Sequence, residues 1–481
     1  MRRLRGTHAP PLVLATGYAV LLLSWAMTNP PFASPDEPAH YLRAIAVGGG
    51  SVAGAVTVDV PAGLGASTND ACNAFLTNAS AACLDDVRAT DRATRQETAA
   101  GPYPPLAYLL PGVVARQASD PQTANRLARL TVAVTSAVLL ASAALLLWQP
   151  AVGVVSLLGM TVATTPMVIF VGSIESNSAL EASAGVAFGA ALLRLSRSVA
   201  PTGWTWLAVA ATGSLLALSR STGILWLALD ALIFGVLVGA SRLLGLWRSS
   251  RRAAVVAATL VLAALANRTW EWAYGTVVTT SGPLAYPWRE RVGDAVSRLD
   301  DLLREWVGRF GWLDSFIPLW ATYAWLALGL ALVGGALIIG RWRERAALLT
   351  ALAGAAGAAI ILSATLQAGE LGGDVQARHL MPALVAVPLV AGEIVSRSRL
   401  WAQVGRVVVA VFAATAALQW VGWYWNARRH ATGSDGPLWF IPDSEWAPPL
   451  GWPFWCVVVL VGAALMPASA RLPVREFGEP H

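Results

Sequence analysis

Apolar runs of about 20 residues recur along the whole chain, and they restrict it to folds that cross a lipid bilayer. A helix needs about 20 consecutive apolar residues to span the hydrocarbon core. Only 13% of the 481 residues are charged, about half the fraction usual in soluble domains. The runs that we interpret as spans cover residues 10–28, 127–148, 150–171, 178–194, 203–219, 222–244, 252–274, 317–339, 346–366, 379–396, 402–424 and 450–468. The sequence therefore predicts an all-α polytopic membrane protein with about 12 transmembrane helices, in a range of 11 to 13.

Arginine-rich loops set the expected orientation, because short cytoplasmic loops of membrane proteins carry an excess of basic residues. Such loops occur at the N-terminus and at residues 194–197, 242–252, 341–345, 397–406 and 471–475. They fall on one side only if the proline-rich segment 103–115 does not cross the bilayer, so we expect that segment to be a helix on the outer surface. Both termini are then cytoplasmic, and the first apolar run acts as a retained signal anchor.

This topology divides the chain into alternating bundles and outer loops. The divisions are the first transmembrane helix at 1–28, a first extracytoplasmic loop at 29–125, a bundle at 126–274, an outer loop at 275–316, and a C-terminal bundle at 317–481 with outer loops 367–378 and 425–450. Most loop acids fall on the outer side, so we expect the chemistry there. The net charge of +6 is explained by basic cytoplasmic loops and does not indicate nucleic-acid binding.

Residues 29–41, directly after the first apolar run, form the most reactive-looking stretch of the sequence. Asp36 and Glu37 stand side by side between prolines, and His40 follows them. Prolines fix φ and exclude regular structure before position 35, while a proline in the first turn suits a helix that begins near Glu37. We predict that Asp36, Glu37 and His40 form a catalytic group. The alternative is that Asp36 only caps the helix, since aspartate is a preferred N-cap residue.

Three further outer segments carry candidate substrate-binding residues. Tyr103 begins the surface segment, where its ring also suits an interfacial anchor. Glu175 and Asn177 join two apolar runs and can hold a sugar hydroxyl or a divalent cation, or simply cap a polar turn. Trp312 and Asp314 close the 275–316 loop, where the indole can stack on a sugar ring or lie at the interface.

Cationic residues near the outer face are candidates for binding phosphate. Arg378 and His379 lie together at the entrance to a run, next to Asp374, which we include among the substrate-binding residues. A guanidinium matches phosphate oxygens, and imidazole can transfer a proton near neutral pH. Arg220 stands between two apolar runs on the same side, where it can bind an anion or snorkel.

The remaining polar signals are a cysteine pair and acids inside apolar runs. Cys72 and Cys83 are close together in the first outer loop, so a disulfide is expected if that loop is extracytoplasmic. No CxxC metal motif is present in the sequence. Asp230 and Glu181 lie within apolar runs, where acids are costly and often functional, and this keeps a transport function open.

Several of these stretches together resemble one bacterial family over nearly the whole chain. They are Pro35-Asp36-Glu37 with His40, Tyr103-Pro104-Pro105, Phe310-Gly311-Trp312, and Gln376-Ala377-Arg378-His379 with Pro382. The chain resembles DUF2142-like membrane proteins of unknown function, which look related to the GT-C glycosyltransferases. Members of that family more often have Gly-Arg-Tyr where this chain has Ala377-Arg378-His379.

The resemblance implies a GT-C-like architecture and a multi-pass protein of the bacterial plasma membrane. The site would lie on the outer face, in a long first loop that carries surface helices. Asp36 or Glu37 would act as general base on an acceptor hydroxyl. Arg378, with His379 or Arg220, would stabilise the departing lipid phosphate. Related enzymes are typically inverting, although the residues themselves do not fix the stereochemistry.

We therefore expect a glycosyltransferase that uses a polyprenyl-phosphate-linked sugar and an envelope glycan, glycolipid or protein acceptor. Membrane lipids would surround it. No nucleotide-binding motif is evident in the sequence, which favours a lipid-linked donor. No cofactor is required, although Mg²⁺ or Mn²⁺ is compatible with the acids. The alternatives are a transporter or flippase for a lipid-linked sugar, and a non-catalytic assembly partner of envelope polysaccharide synthesis.

Overall fold

The structure is a computed structural model that describes residues 8–66, 72–86, 94–275, 286–366, 375–399, 403 and 405–472. Asp374 lies outside these residues. The helices are α1 (Ala9–Thr28), α2 (Glu37–Gly48), α3 (Leu109–Ala115), α4 (Pro121–Leu147), α5 (Leu158–Ala163), α6 (Pro166–Val171), α7 (Asn177–Arg197), α8 (Gly203–Ser219), α9 (Gly223–Val238), α10 (Ala240–Ser249), α11 (Arg251–Tyr274), α12 (Trp288–Ser297), α13 (Leu299–Gly308), α14 (Leu319–Ile339), α15 (Trp342–Leu366), α16 (Ala377–Arg397), α17 (Gly405–Thr432) and α18 (Gly451–Arg471).

Short β-strands and 3₁₀ helices lie between the α-helices, so the chain is mostly helical rather than all-α. Strand β1 (Thr57–Val60) pairs antiparallel with β2 (Thr94–Glu97), and β3 (Arg309–Phe310) pairs with β4 (Ser315–Phe316). 3₁₀ helices cover Ala81–Asp86, Pro105–Tyr108 and Val154–Leu157. The segment expected on the outer surface thus contains the 3₁₀ turn and α3. Eleven helical residues reach about 16 Å, which is too short to cross a core of about 30 Å.

Within the described residues, nine helices are long and apolar enough to cross a membrane, and ten if α9 and α10 are counted as one span bent by 104°. The expected number of about twelve is therefore not confirmed. Two of the expected runs account for the difference. Run 203–219 forms the 17-residue α8, and run 150–171 is divided into α5 and α6. Pro166 cannot continue a helix, and the Thr165 hydroxyl accepts the Val168 N–H to begin a new one.

Close helix packing places these broken helices against α16. A Cβ atom on Gly392 of α16 would lie 2.4 Å from the Cα atom of Gly159 in α5. Only glycine at both positions permits this approach, which is a packing mode common between membrane helices. The following helices α6 and α7 also pack on α16, and Gly185 of α7 lies against Pro382 near the beginning of α16.

The bundle has two ends with different polar groups. At one end, which we name the Asp36 end, carbonyls of the loop after α1 accept hydrogen bonds from Arg129 of α4 and Arg378 of α16. Glu37 of α2 accepts the N–H of Glu175, which lies just before α7. At the other, the Arg397 end, Arg197 at the end of α7 donates to the Leu147 carbonyl of α4 and to Glu393 of α16. A helix of 20 residues separates its two ends by about 30 Å. Side chains at the Asp36 end therefore cannot contact side chains at the Arg397 end.

Candidate functional site

The backbone at the first motif turns Asp36 away from the helix that it precedes. Phe32 and Asp36 have φ values of 62° and 59°, a left-handed conformation that is uncommon outside glycine and tolerated best by Asn and Asp. The Asp36 carbonyl accepts the N–H groups of Ala39 and His40, so α2 begins here with Pro38 in its first turn. The Asp36 side chain makes no capping hydrogen bond. Capping alone therefore does not explain this carboxylate.

Arg378 holds the Asp36 carboxylate. Its Nη2 donates to Asp36 Oδ2 at 2.5 Å, and its Nη1 donates to the Pro35 carbonyl at 2.9 Å. The Arg378 side chain is 4% exposed, whereas that of Asp36 is 59% exposed. Partial burial alone would raise the pKa of Asp36, but the positive charges of Arg378 and Arg220 and the hydrogen bond from Arg378 lower it below its ordinary value. The carboxylate is thus ionised and accessible.

Glu305 of α13 fixes the beginning of α16 and hence the position of Arg378. Its Oε2 accepts the Ala377 N–H at 3.0 Å, and its Oε1 accepts from Arg309 at 3.0 Å. His379 lies in the same turn. Its Nδ1 accepts a hydrogen bond from the backbone N–H of Gln376, with 3.5 Å between the two nitrogen atoms. His379 therefore caps α16 with Nδ1. Only Nε2 of its ring remains to contact a substrate.

His40 is a buried neutral base beside Asp36. Its Nδ1 lies 2.7 Å from the Tyr108 hydroxyl and its Nε2 3.4 Å from the Ser176 hydroxyl, and the ring stacks on Tyr103 at 5.8 Å. Burial lowers the pKa of His40 to about 3, and the charges of Arg378 and Arg220 act in the same direction against Asp36. The ring positions its hydroxyl partners while it remains uncharged at neutral pH.

Acidification is expected to destabilise the folded protein through His40. In the folded chain its pKa is about 3, whereas the ordinary value is 6.5. The unfolded chain therefore binds more protons between these values, so stability is complete above pH 6.5 and falls by about 1.4 kcal/mol per pH unit as the pH decreases. His40→Gln should make thermal unfolding less sensitive to mild acid than in the wild type. Equal pH slopes in the two proteins would show that folding does not lower the pKa of His40.

Arg220 and Tyr103 complete the group of side chains around Asp36. Arg220 follows α8, its Nη1 donates to the Ser178 hydroxyl at 3.3 Å, and its guanidinium lies 5.8 Å from the centre of the Tyr103 ring. Arg220 acts electrostatically on Asp36 and on His40. We name Asp36, His40, Tyr103, Arg220 and Arg378 the Asp36 cluster. It combines one exposed carboxylate with two guanidinium groups at one end of the bundle.

Glu37 has a different role from its neighbour. Its side chain is fully buried and forms a two-bond ion pair with Arg129 of α4, one bond measuring 2.6 Å. Its Oε1 also accepts the Glu175 N–H at 3.1 Å, and Arg129 donates to the carbonyls of Asn29 and Pro30. Glu37 thus joins three segments and has no free face for a substrate. Sequence reasoning missed Arg129, although an arginine inside an apolar run is a signal for a buried partner.

Glu175 and Asn177 are buried on either side of Ser176, whose hydroxyl lies 3.4 Å from His40 of the cluster. Glu175 Oε2 accepts from the Asn125 amide at 3.4 Å, while its Oε1 and the Asn177 Nδ2 have no partner among the described residues. Burial raises the pKa of Glu175 well above its ordinary value, and the adjacent Glu37 acts in the same direction. Burial thus favours the protonated form of the Glu175 carboxyl group.

Trp312 and Asp314 hold the first outer loop instead of joining the cluster. Trp312 Nε1 donates to the Phe32 carbonyl at 3.0 Å. Asp314 is buried, pairs with Arg429 at 2.8 Å, and accepts the Phe75 N–H at 3.0 Å. Among the described residues, neither side chain forms a hydrogen bond to a member of the cluster, and stacking of Trp312 on a sugar ring stays a prediction. Arg429 was not predicted.

The first outer loop is tied to the bundle at several points. Cys72 and Cys83 form a disulfide. Arg429 of α17 donates to the carbonyls of Asn73, Leu76 and Ala79, all within or next to the loop that this disulfide closes. These contacts hold the loop closed by the disulfide against the end of α17. Among the described residues no group of three or more His, Cys, Asp or Glu side chains is arranged to hold a metal ion.

Comparison with known proteins defines the family. No curated protein and no solved structure matches the chain. One family, described as "Predicted membrane protein (DUF2142)", matches residues 20–387. The matched region includes Asp36, Tyr103, Arg220 and Arg378, and thus the whole cluster. The chain belongs to the DUF2142 family of membrane proteins.

Proposed function

We propose that this protein is a glycosyltransferase of the GT-C type. It transfers a sugar from a polyprenyl-phosphate donor to an envelope glycan, glycolipid or protein acceptor. The observation that carries the proposal is the exposed, ionised carboxylate of Asp36 next to Arg378, with Arg220 close by. A polyprenyl-phosphate donor places its phosphate at the bilayer surface, where a carboxylate and cations at one end of a helical bundle can reach it.

The reaction uses Asp36 as general base. The acceptor hydroxyl attacks the anomeric carbon, its proton passes to a carboxylate oxygen, and the bond from that carbon to the phosphate oxygen breaks. Because Asp36 has a lowered pKa, it takes the proton late, when attack has already made the hydroxyl acidic. Arg378 and Arg220 stabilise the negative charge on the departing lipid phosphate. His40 keeps Tyr108 and Ser176 in place.

We place the Asp36 end outside a bacterial plasma membrane and both termini in the cytoplasm. Arginines of the short loops gather at the opposite end, where Arg197, Arg242 and Arg397 line one cavity. Cytoplasmic loops carry such an excess of basic residues. The donor sugar and acceptor would then meet at the outer surface.

Mass spectrometry of envelope glycans and polyprenyl-linked sugars in a deletion strain tests this function. We expect one sugar to disappear from the envelope while its polyprenyl-phosphate donor accumulates, and the wild-type gene should reverse both changes. An unchanged glycan and donor profile in the deletion strain would contradict the proposal. The same experiment names the sugar and the acceptor.

Arg220→Gln is expected to weaken use of the donor phosphate. A hydrogen bond to a charged group contributes about 1.5–3 kcal/mol, so transfer at low donor concentration should fall between about tenfold and about hundredfold. Arg268→Gln is the matched control, because the Arg268 side chain is 70% exposed and, within the described part of the chain, pairs with Glu271 alone. The measurement is transfer against donor concentration in membranes that contain equal amounts of each variant. An Arg220 variant that matches the control would remove Arg220 from donor binding.

Transport of a lipid-linked sugar is the second candidate, and Asp230 is the observation that favours it. Asp230 is 6% exposed inside α9, and its Oδ2 has no partner among the described residues. It lines an apolar cavity with Leu193 and Leu389. An unpaired acid at this depth often serves ion coupling. Translocation of a lipid-linked sugar in proteoliposomes that survives Asp36→Asn but fails with Asp230→Asn would favour transport.

A further inference from the structure

A polar cavity of about 820 Å³ lies at the Arg397 end of the bundle. The ends of α7, α14 and α16 and the beginnings of α10 and α15 enclose it. Among the described residues, its walls carry five arginines but a single carboxylate, that of Glu344. The arginines are Arg197, Arg242, Arg341, Arg397 and Arg399. A cavity of this size and charge can hold an anionic group that is larger than a water molecule.

The arginines divide into those with internal partners and those without. Glu393, buried behind the cavity, accepts Arg197 Nε at 2.8 Å and Arg397 Nε at 2.6 Å. Arg242 donates to the Ser198 carbonyl at 2.9 Å. The side chains of Arg341 and Arg399 are exposed, and we find no hydrogen bond or ion pair from them to the described residues. Positive charge in the cavity therefore exceeds what the nearby acids neutralise.

Glu344 offsets only one of these positive charges. Its Oε2 accepts the backbone N–H of Arg341 at 2.8 Å, and its Oε1 lies 4.0 Å from Arg397. The carboxylate is thus engaged at the edge of the cavity. Guanidinium groups that converge without enough carboxylates bind phosphate oxygens well, since their planar donors match that geometry.

Helix α10 indicates that the cavity opens at the level of lipid headgroups. It follows α9 after a 104° bend and so runs across the direction of that span. Leu244 and Trp247 of α10 are 52% and 57% exposed, while Arg242 of the same helix lines the cavity. A helix with exposed Leu and Trp on one side and arginine on another lies in the membrane interface.

We propose that this cavity binds the phosphate headgroup of an anionic phospholipid. Basic pockets between transmembrane helices bind anionic headgroups, and the apolar side chains of α10 would contact the acyl chains beside the bound head. The site is at the opposite end of the bundle from the Asp36 cluster, so it does not depend on the proposed transferase activity. Arg341 and Arg399 are the residues that the lipid phosphate would engage, because the other arginines already have partners.

Lipid binding to the purified full-length chain tests the proposal. Native mass spectrometry compares retention of phosphatidylglycerol with that of phosphatidylcholine. We expect preferential retention of phosphatidylglycerol by the wild type, and a decrease in its affinity of about thirtyfold in the double variant Arg341→Gln/Arg399→Gln, because each arginine near an anionic lipid contributes about fivefold. Arg197 and Arg397 are left intact, since their loss would strand the buried Glu393 carboxylate.

The double variant Arg248→Gln/Arg345→Gln is the matched control. It removes the same charge at the same end, from exposed side chains that do not line the cavity. An equal loss of affinity in both double variants would show a general surface effect and overturn the site. Complete displacement of phosphatidylglycerol by inorganic phosphate would assign the cavity to a free anion and overturn the lipid. Thermal unfolding of each variant checks that the fold is retained.

Discussion

Asp36→Asn is expected to abolish sugar transfer in cells that contain normal amounts of the protein. Asparagine keeps the size of the side chain and can still contact Arg378, but it cannot take up the proton of the attacking hydroxyl group. Loss of a positioned general base reduces a rate by about 10² to 10⁴-fold. The deletion strain that carries this variant should therefore lack the envelope sugar and accumulate its lipid-linked donor, as measured by mass spectrometry.

Asp59→Asn is the matched control for this experiment. Asp59 lies in β1 of the same outer loop and is 82% exposed. Among the residues that the structure describes, its ion-pair partner is the exposed Arg95. We expect it to restore a normal glycan profile. If Asp36→Asn also restores a normal profile, Asp36 is not the base, and transport or a non-catalytic role in envelope assembly becomes the better account. Immunoblotting of membranes establishes equal abundance.

The pairing of Asp36 with Arg378 could be predicted only in part. Each was recognisable from its surroundings, since prolines enclose the acid and an outer-face arginine precedes an apolar run. Their contact depends on how α2 and α16 pack, and the two residues are 342 positions apart. The local sequence around each residue contains no information on how these two helices pack. The left-handed backbone at Asp36 directs its side chain to a different partner from that of Glu37. This conformation is held by the packing of the loop and is likewise not encoded in the local sequence.

Buried positioning residues were the least predictable part of the site. Arg129 and Arg429 lie within helices, where sequence alone shows only a costly charge. Their partners are main-chain carbonyls of the outer loop as well as acids, and carbonyls carry no sequence signal. The apolar runs, by contrast, gave the long helices well, because hydropathy reports directly on burial in lipid or protein. It failed to mark the break before Pro166, where apolar composition continues through a change of helix.

Glu37→Gln is expected to destabilise the protein instead of removing a catalytic step. The substitution leaves the Arg129 guanidinium buried without its counter-charge, and loss of one partner of a buried pair costs about 3–5 kcal/mol. Asp300→Asn is the comparison, because Asp300 and Arg304 are 58% and 40% exposed and such pairs contribute less than about 1 kcal/mol. Folded protein in membranes and its thermal unfolding in detergent should fall for Glu37→Gln and remain unchanged for Asp300→Asn.

The double variant Glu37→Met/Arg129→Met separates a structural role of Glu37 from a catalytic one. Apolar side chains of similar size remove both charges, so part of the lost stability should return. The recovery is incomplete because the carbonyls of Asn29 and Pro30 and the Glu175 N–H lose their partners. Since Asp36 keeps Arg378, the protein that folds should still transfer sugar. A folded double variant without any transfer would return Glu37 to the catalytic group, and Asp36 would no longer be the single base.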